Sequence, residues 1–308
     1  ILGNPYAVGH FSGIQNILFA YEDNAYTQDA VLNWLAGKTQ ATGELPVTVS
    51  EDLPYGSTYK HTASAYKIVE NEKLKAIDSL VQDAISKKAI PGCQVLVAKN
   101  NEIVFNKAYG LTAGEGSAPV TLDTYYDLAS VTKVSAATVS IMKLADEGKV
   151  DINKTIGDYL PWVKGSQKAS ITLKDLLLHQ AGLFPYIKFY ESLLNADKKI
   201  NKDLVTNVQD KTHNKMITPN LYLLNSWKDS IEQKILNSAV TAPGKYVYSD
   251  NDFIFLGQIV EQVSGMTLNE YATQSFYSPL GMKSTGFLPL QKTNLENIAA
   301  TEMDNYYR

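Results

Sequence analysis

Four serine–lysine pairs share the spacing S-x-x-K: Ser57/Lys60, Ser64/Lys67, Ser130/Lys133 and Ser140/Lys143. Positions i and i+3 of a helix lie on one face, so such a spacing brings an amine to a hydroxyl. The chemistry this allows is acyl transfer, in which the activated hydroxyl attacks a carbonyl. Taken alone the spacing means little, because serine is a common helix cap and lysine a common solvated helix residue. Context separates the four. The first two lie in or beside residues 50–62, a stretch of Ser, Thr, Tyr, Pro and Gly that reads as a linker. Ser140 falls inside a helical run, where its hydroxyl would be buried. Ser130 alone stands at a helix entrance, after Tyr125-Tyr126-Asp127-Leu128-Ala129 and before an apolar run. Its own N–H is then among the unpaired donors of a helix N-terminus and can hold an acyl oxyanion. Burial and the positive helix end both disfavour an ammonium, so the expectation for Lys133 is a lowered pKa.

A second candidate element is Pro243-Gly244-Lys245-Tyr246-Val247-Tyr248-Ser249-Asp250, which runs straight into the helical stretch Phe253 to Glu261. Around both elements lie Y-D-L-A-S-V-T-K, H-Q-A-G-L, V-S-G-M-T-L and S-P-L-G-M-K-S-T-G-F, in that order. Together these motifs resemble the serine β-lactamase and penicillin-binding-protein superfamily, class C β-lactamases and related peptidases and esterases in particular, over residues 66–290. The resemblance implies an α+β fold, with an antiparallel sheet flanked by helices and a mainly helical subdomain. It implies Ser130 as acylated nucleophile, Lys133 as its partner, and Tyr248 as the hydroxyl that shuttles the serine proton. No cofactor is expected. The substrate class it implies is a β-lactam, a D-Ala-D-Ala peptide or an ester, handled outside the cytoplasm, in the periplasm or an equivalent compartment.

Two departures from the family pattern stand out. Asp250 occupies the position where the family usually has Asn, and an ionised carboxylate can only accept hydrogen bonds. Paired with Lys133, it would keep that lysine protonated and move the general-base role towards Tyr248. An alternative register, Ser249-Asp250-Asn251, spells the S-D-N of class A enzymes; the flanking Pro243-Gly244 and the following helix favour the tyrosine register. The second departure is the missing K-T-G or H-x-G strand. Lys283-Ser284-Thr285-Gly286 is similar but follows the turn Pro279-Leu280-Gly281-Met282. The expectation is a domain at 66–308 truncated before its third motif, lacking roughly a hundred residues of ordinary domain length.

The elements that must position these residues follow from periodicity. Leu74, Ile77, Leu80, Val81, Ala84 and Ile85 repeat at helical spacing. Gln94 to Ala98 and Ile103 to Tyr109 flank a short turn as an antiparallel hairpin. A buried helix is expected from Ser130 to Glu147, a short one over 171–178 ending at His179, and another from about Asp252 to Val263 stopped by Gly265. Residues 187–240, rich in Asn, Lys and Asp, read as a partly helical covering segment.

Residues 1–56 have a pattern of their own: a strand-like run Ile14 to Tyr21, a helical run Gln28 to Leu35, and Gly43-Glu44-Leu45-Pro46-Val47-Thr48-Val49. This resembles the tail of the C-terminal domain of family 3 glycoside hydrolases, an α/β domain, which implies a fusion working on envelope glycans. Residues 57–65 are then the linker.

The composition narrows the remaining classes. A net charge of -4 and a pI near 5.6 leave no basic field for nucleic acid. The best short apolar run, Ile17 to Ala20, is far below the roughly 20 residues of a membrane span. A single Cys93 cannot pair internally and reads as a small apolar residue. His10, His61, His179 and His213 have no metal-ligand spacing, so no metal is expected. His179 invites a Ser/His/Asp triad, but no G-x-S-x-G elbow accompanies it, and a loop histidine closing a helix is the expectation. The rival function is a non-catalytic muropeptide-binding or regulatory module in which Asp250 has spoiled the chemistry.

Overall fold

The computed structural model describes residues 18–20, 24–36, 39, 43–51, 53–57, 72–99, 102–241 and 243–301. The strand-like run Ile14 to Tyr21 and the linker 57–65 lie almost wholly outside the described residues. The chain divides into two compact units, 1–127 with 288–308, and 128–287.

In the first unit, helix α1 spans Ala25–Leu35 and starts where Asn24 accepts the Thr27 N–H through its side chain. Helix α2 spans Lys75–Ser86, and strands β1 (Gly92–Lys99) and β2 (Glu102–Gly110) form the expected antiparallel hairpin, with a bulge between Val97 and Ala98. An ion pair ties helix to hairpin: the Asp78 carboxylate accepts from Lys107 Nζ at 2.8 Å and from the buried Tyr109 hydroxyl at 2.7 Å. Gly110 must be glycine, since its φ is +69° and a Cβ would strike the Pro91 carbonyl. Cys93 is half-buried within β1.

The second unit is built around one large apolar core, with a second, smaller buried cluster of Ala136, Ala272 and Tyr277. A π-helical turn over Lys133–Thr138 leads into α3 (Val139–Asp146), and α4 (Ile156–Tyr159), α5 (Leu173–Leu177), α6 (Trp227–Asn237), α7 (Asp250–Ser264) and α8 (Leu268–Ala272) follow. Ile141, Leu144, Ile156, Leu173, Leu176, Phe255, Leu256 and Ile259 are fully buried together. Each such side chain contributes about 1.5–3 kcal/mol by leaving water. The central helix α7 presents Phe255, Leu256, Ile259 and Val260 to this core, and the Trp162 ring stacks on Phe255 at 5.6 Å. Gly265 ends α7 in the left-handed conformation, as its position after the apolar run requires.

Residues 187–240 differ from expectation. Besides α6 they hold a three-stranded antiparallel sheet, β3 (Val205–Thr206), β4 (His213–Thr218) and β5 (Leu221–Leu224), in the order β3-β5-β4. The strands are short, and β4 buries only His213, so no alternation marks them in the sequence. Among the described residues, no helix is long and apolar enough to cross a membrane.

Candidate active site

All the groups described here belong to the second unit. Ser130 stands at the end of a tight reversal. Ala129 has φ +43°, a conformation that costs a residue with a Cβ about 1–2 kcal/mol. The N–H groups of Val131, Thr132 and Lys133 are turned back onto the carbonyls of Leu128, Ala129 and Ser130. The helix then widens. Lys133 offers its carbonyl to the Thr138 hydroxyl at 2.9 Å, and Ser135 offers its carbonyl to the Tyr277 hydroxyl at 3.0 Å. Such wide turns leave carbonyls open to side-chain donors and recur at functional sites.

A second wall comes from two segments lying side by side. Backbone bonds run from Thr241 to Gly182, Gly244 to Gln180, Val247 to His179 and Asp250 to Pro185, all 2.8–2.9 Å. The Phe184 carbonyl also accepts from the Ser249 hydroxyl at 2.8 Å and from Asn251 Nδ2 at 2.5 Å. Ser249 further caps α7 by accepting the Asn251 N–H. Ser249 and Asn251 are therefore buried and turned inward, whereas Tyr248 and Asp250, alternating with them, face Lys133. This alternation decides the register: the pair at the site is Tyr248 and Asp250, and the Ser and Asn of the S-D-N spelling hold the wall together.

Lys133 Nζ is the hub. It donates to Ser130 Oγ at 3.1 Å and to Asp250 Oδ1 at 2.6 Å, and lies 5.0 Å from the centre of the Tyr248 ring. Burial pulls its pKa down, but hydrogen bonds with Asp250 and Tyr248 and their negative charge outweigh that, and the net direction is up. The lowering expected from burial and the helix end alone is reversed, because the Asp250 carboxylate stands against the amine, the pairing that the sequence also suggested. Tyr248 moves the opposite way. Hydrogen bonds from Lys133 and Ser130, with the ammonium charge, lower its pKa and favour the phenolate against a smaller desolvation effect. The arrangement therefore favours the ammonium form of Lys133 and eases ionisation of the Tyr248 phenol beside it.

Behind Tyr248 lies a buried pair that sequence reading missed. His179 Nδ1 sits 2.6 Å from Asp252 Oδ2, and its ring centre is 4.5 Å from that of Tyr248. His179 closes α5 as expected, with φ +54°, but forms no Ser/His/Asp triad: its serine neighbour is the backbone N–H of Ser249 at 3.2 Å. The missed signal was the spacing of Asp252, one turn into a helix and four residues after Tyr248. Among the described residues, no group of three or more His, Cys, Asp or Glu side chains could hold a metal ion.

Comparison with known proteins gives three results. A family model described as Beta-lactamase matches residues 77–295. A protein of Salmonella paratyphi A, provisionally named D-alanyl-D-alanine carboxypeptidase, is 34% identical over 248 residues, covering 76% of this chain and 52% of the relative. The chain thus spans about half the length of the curated relatives it matches. Among solved structures, the octameric penicillin-binding protein homologue from Pyrococcus abyssi superposes with a TM-score of 0.57 at 21% identity, over 76% of this chain and 49% of that one. FmtA from Staphylococcus aureus superposes with a TM-score of 0.53 at 24% identity, over 76% and 55%. These likenesses establish the fold.

Proposed function

The chain belongs to the β-lactamase family, and on that premise we propose that it is a serine hydrolase working through an acyl-enzyme on Ser130. The observation that carries this reading is the convergence of three groups: Lys133 Nζ donates to Ser130 Oγ at 3.1 Å and lies 5.0 Å from the centre of the Tyr248 ring, whose phenol is eased towards ionisation by Lys133 and Ser130. The Tyr248 phenolate takes the proton of the Ser130 hydroxyl as Oγ bonds to the substrate carbonyl carbon. The Lys133 ammonium stabilises the charge on oxygen throughout. The Ser130 N–H, at the helix entrance, holds the new oxyanion. Collapse of the tetrahedral species expels the leaving group, which receives the proton from Tyr248. Tyr248 then takes a proton from water as it attacks the ester carbonyl, and returns that proton to Ser130 Oγ as the C–Oγ bond breaks and the acid departs.

Asp250 supports the site by fixing the ammonium rather than by touching the reacting carbonyl. The substrate is proposed to be a D-Ala-D-Ala-type peptide, a β-lactam or an ester met outside the cytoplasm. Residues 66–308 are assigned to this hydrolase domain and residues 1–56 to a family 3 glycoside hydrolase-like tail, an assignment that rests on motif resemblance.

Labelling with a fluorescent penicillin and a fluorescent fluorophosphonate, comparing the wild-type chain with Ser130→Ala, tests the reading. Label on the wild type that disappears from the variant supports it. Label retained by Ser130→Ala dismisses Ser130 as nucleophile, and no label on either protein favours the binding module.

A further inference from the structure

We propose that His179, held in place by Asp252, is the positioning residue for Tyr248; the proposal rests on the reading of Tyr248 as the group that takes the serine proton. Three contacts from this one histidine bracket the tyrosine. Its backbone carbonyl accepts the N–H of Val247 at 2.8 Å, its ring nitrogen Nδ1 faces the N–H of Ser249 at 3.2 Å, and its ring lies against the Tyr248 ring. The residues before and after Tyr248 are therefore both tied to His179. The histidine itself sits at φ +54°, a strained conformation that persists only where its surroundings over-determine it.

Proton bookkeeping at Nδ1 assigns the state of the pair. Nδ1 offers one lone pair, and with the Ser249 N–H directed at it the short 2.6 Å contact is assigned to a proton carried on Asp252 Oδ2 and shared with that lone pair. His179 is then neutral and carries its proton on Nε2. Asp252 is 1% exposed and its Oδ1 has no hydrogen-bond partner, which suits a neutral carboxylic acid far better than a carboxylate. Burial pushes Asp252 up to about 8 and pulls His179 down, and the Lys133 charge acts on both groups. The Asp250 charge also acts on the His179 ring, and it opposes that lowering. A neutral pair steadies the phenol without adding charge beside the Lys133–Asp250 ion pair.

The test uses the whole chain with its tyrosines labelled with carbon-13 at the hydroxyl-bearing carbon, the Tyr248 resonance being the one absent from Tyr248→Phe. Its titration and the rate of acylation by a fluorescent fluorophosphonate are measured for the wild type, His179→Phe, Asp252→Asn and Asp252→Ala. His179→Phe keeps an aromatic ring but removes the acceptor. It is expected to slow acylation about tenfold or more and return Tyr248 to the ordinary tyrosine range near 10. Asp252→Asn supplies an N–H donor in the same shape and should stay within about threefold of the wild type. A His179→Phe protein with unaltered Tyr248 titration and rate, changed only in melting temperature, overturns the positioning role. An Asp252→Asn protein as impaired as His179→Phe overturns the protonation assignment. Should His179→Phe not fold, Asp252→Ala decides, since an unmoved Tyr248 titration there counts against the proposal. The titration needs no turnover, so failure of the serine hydrolase reading would show as absent labelling while the NMR result still stands.

Discussion

The ammonium of Lys133 lies 2.6 Å from the Asp250 carboxylate, and in the proposed mechanism this ion pair selects the base. The amine is 14% exposed and the carboxylate 41%, so the pair is half-screened by solvent, yet it reverses the effect of burial on the lysine. With the lysine held as a cation, the phenol beside it is the group that ionises early.

Replacing Asp250 by Asn should undo this. Burial then dominates, the lysine pKa falls, and the upper limb of the acylation profile, where the ammonium is lost, moves to lower pH. Fluorophosphonate acylation rates from acid to alkaline pH check it, and an unmoved upper limb would mean that the ion pair does not govern the lysine.

Tyr248→Phe should lower the acylation rate by about 10²–10⁴-fold while leaving the melting temperature nearly unchanged. The phenol is 44% exposed, and its removal opens no cavity. A rate within a factor of three of wild type would hand the base role to another group.

Ser249→Ala tests the register. The serine is fully buried, caps α7 and donates to Phe184, so the expected cost is about 1–2 kcal/mol of stability from urea denaturation. Label on Ser130 should persist in the folded protein. Abolished labelling without loss of stability would instead place Ser249 among the reacting groups.

Asp252 and His179 should also give the stability a particular pH dependence. Asp252 is raised from 3.8 to about 8 in the folded protein, and His179 is lowered from 6.5. Below pH 6.5 the unfolded chain takes up a proton on the histidine, which offsets the carboxyl proton held by the folded state and weakens the pH dependence. From 6.5 to about 8 only the folded state keeps its proton, and stability falls as pH rises, by about 2 kcal/mol in all at 1.36 kcal/mol per unit. Urea midpoints across pH 5–9 for wild type and Asp252→Asn measure this. The same decline in both proteins would rule out the carboxyl as its source.

Much of the site was legible in the sequence because helix geometry is regular. Ser130 and Lys133 meet as their spacing requires, and the hairpin, α2, α5 and α7 fall where periodicity put them. The lysine's state was not legible from its own helix, because it is set by Asp250, 117 positions along the chain. His179 and Asp252 escaped for the same reason: the contact joins residues 73 apart, and neither belongs to a pattern that local spacing reveals. The sheet of 205–224 was missed because its strands are short and show no alternation of buried and exposed positions.

Holding one residue more than a regular turn would, the wide turn at Lys133–Thr138 lets the two ends of a single helix answer to different demands, the reactive end to the cleft and the Ile141–Leu144 end to the apolar interior. Deleting one residue there would let the turn close as regular α-helix with its two ends still in phase, and the Lys133 and Ser135 carbonyls would no longer be open to the Thr138 and Tyr277 hydroxyls.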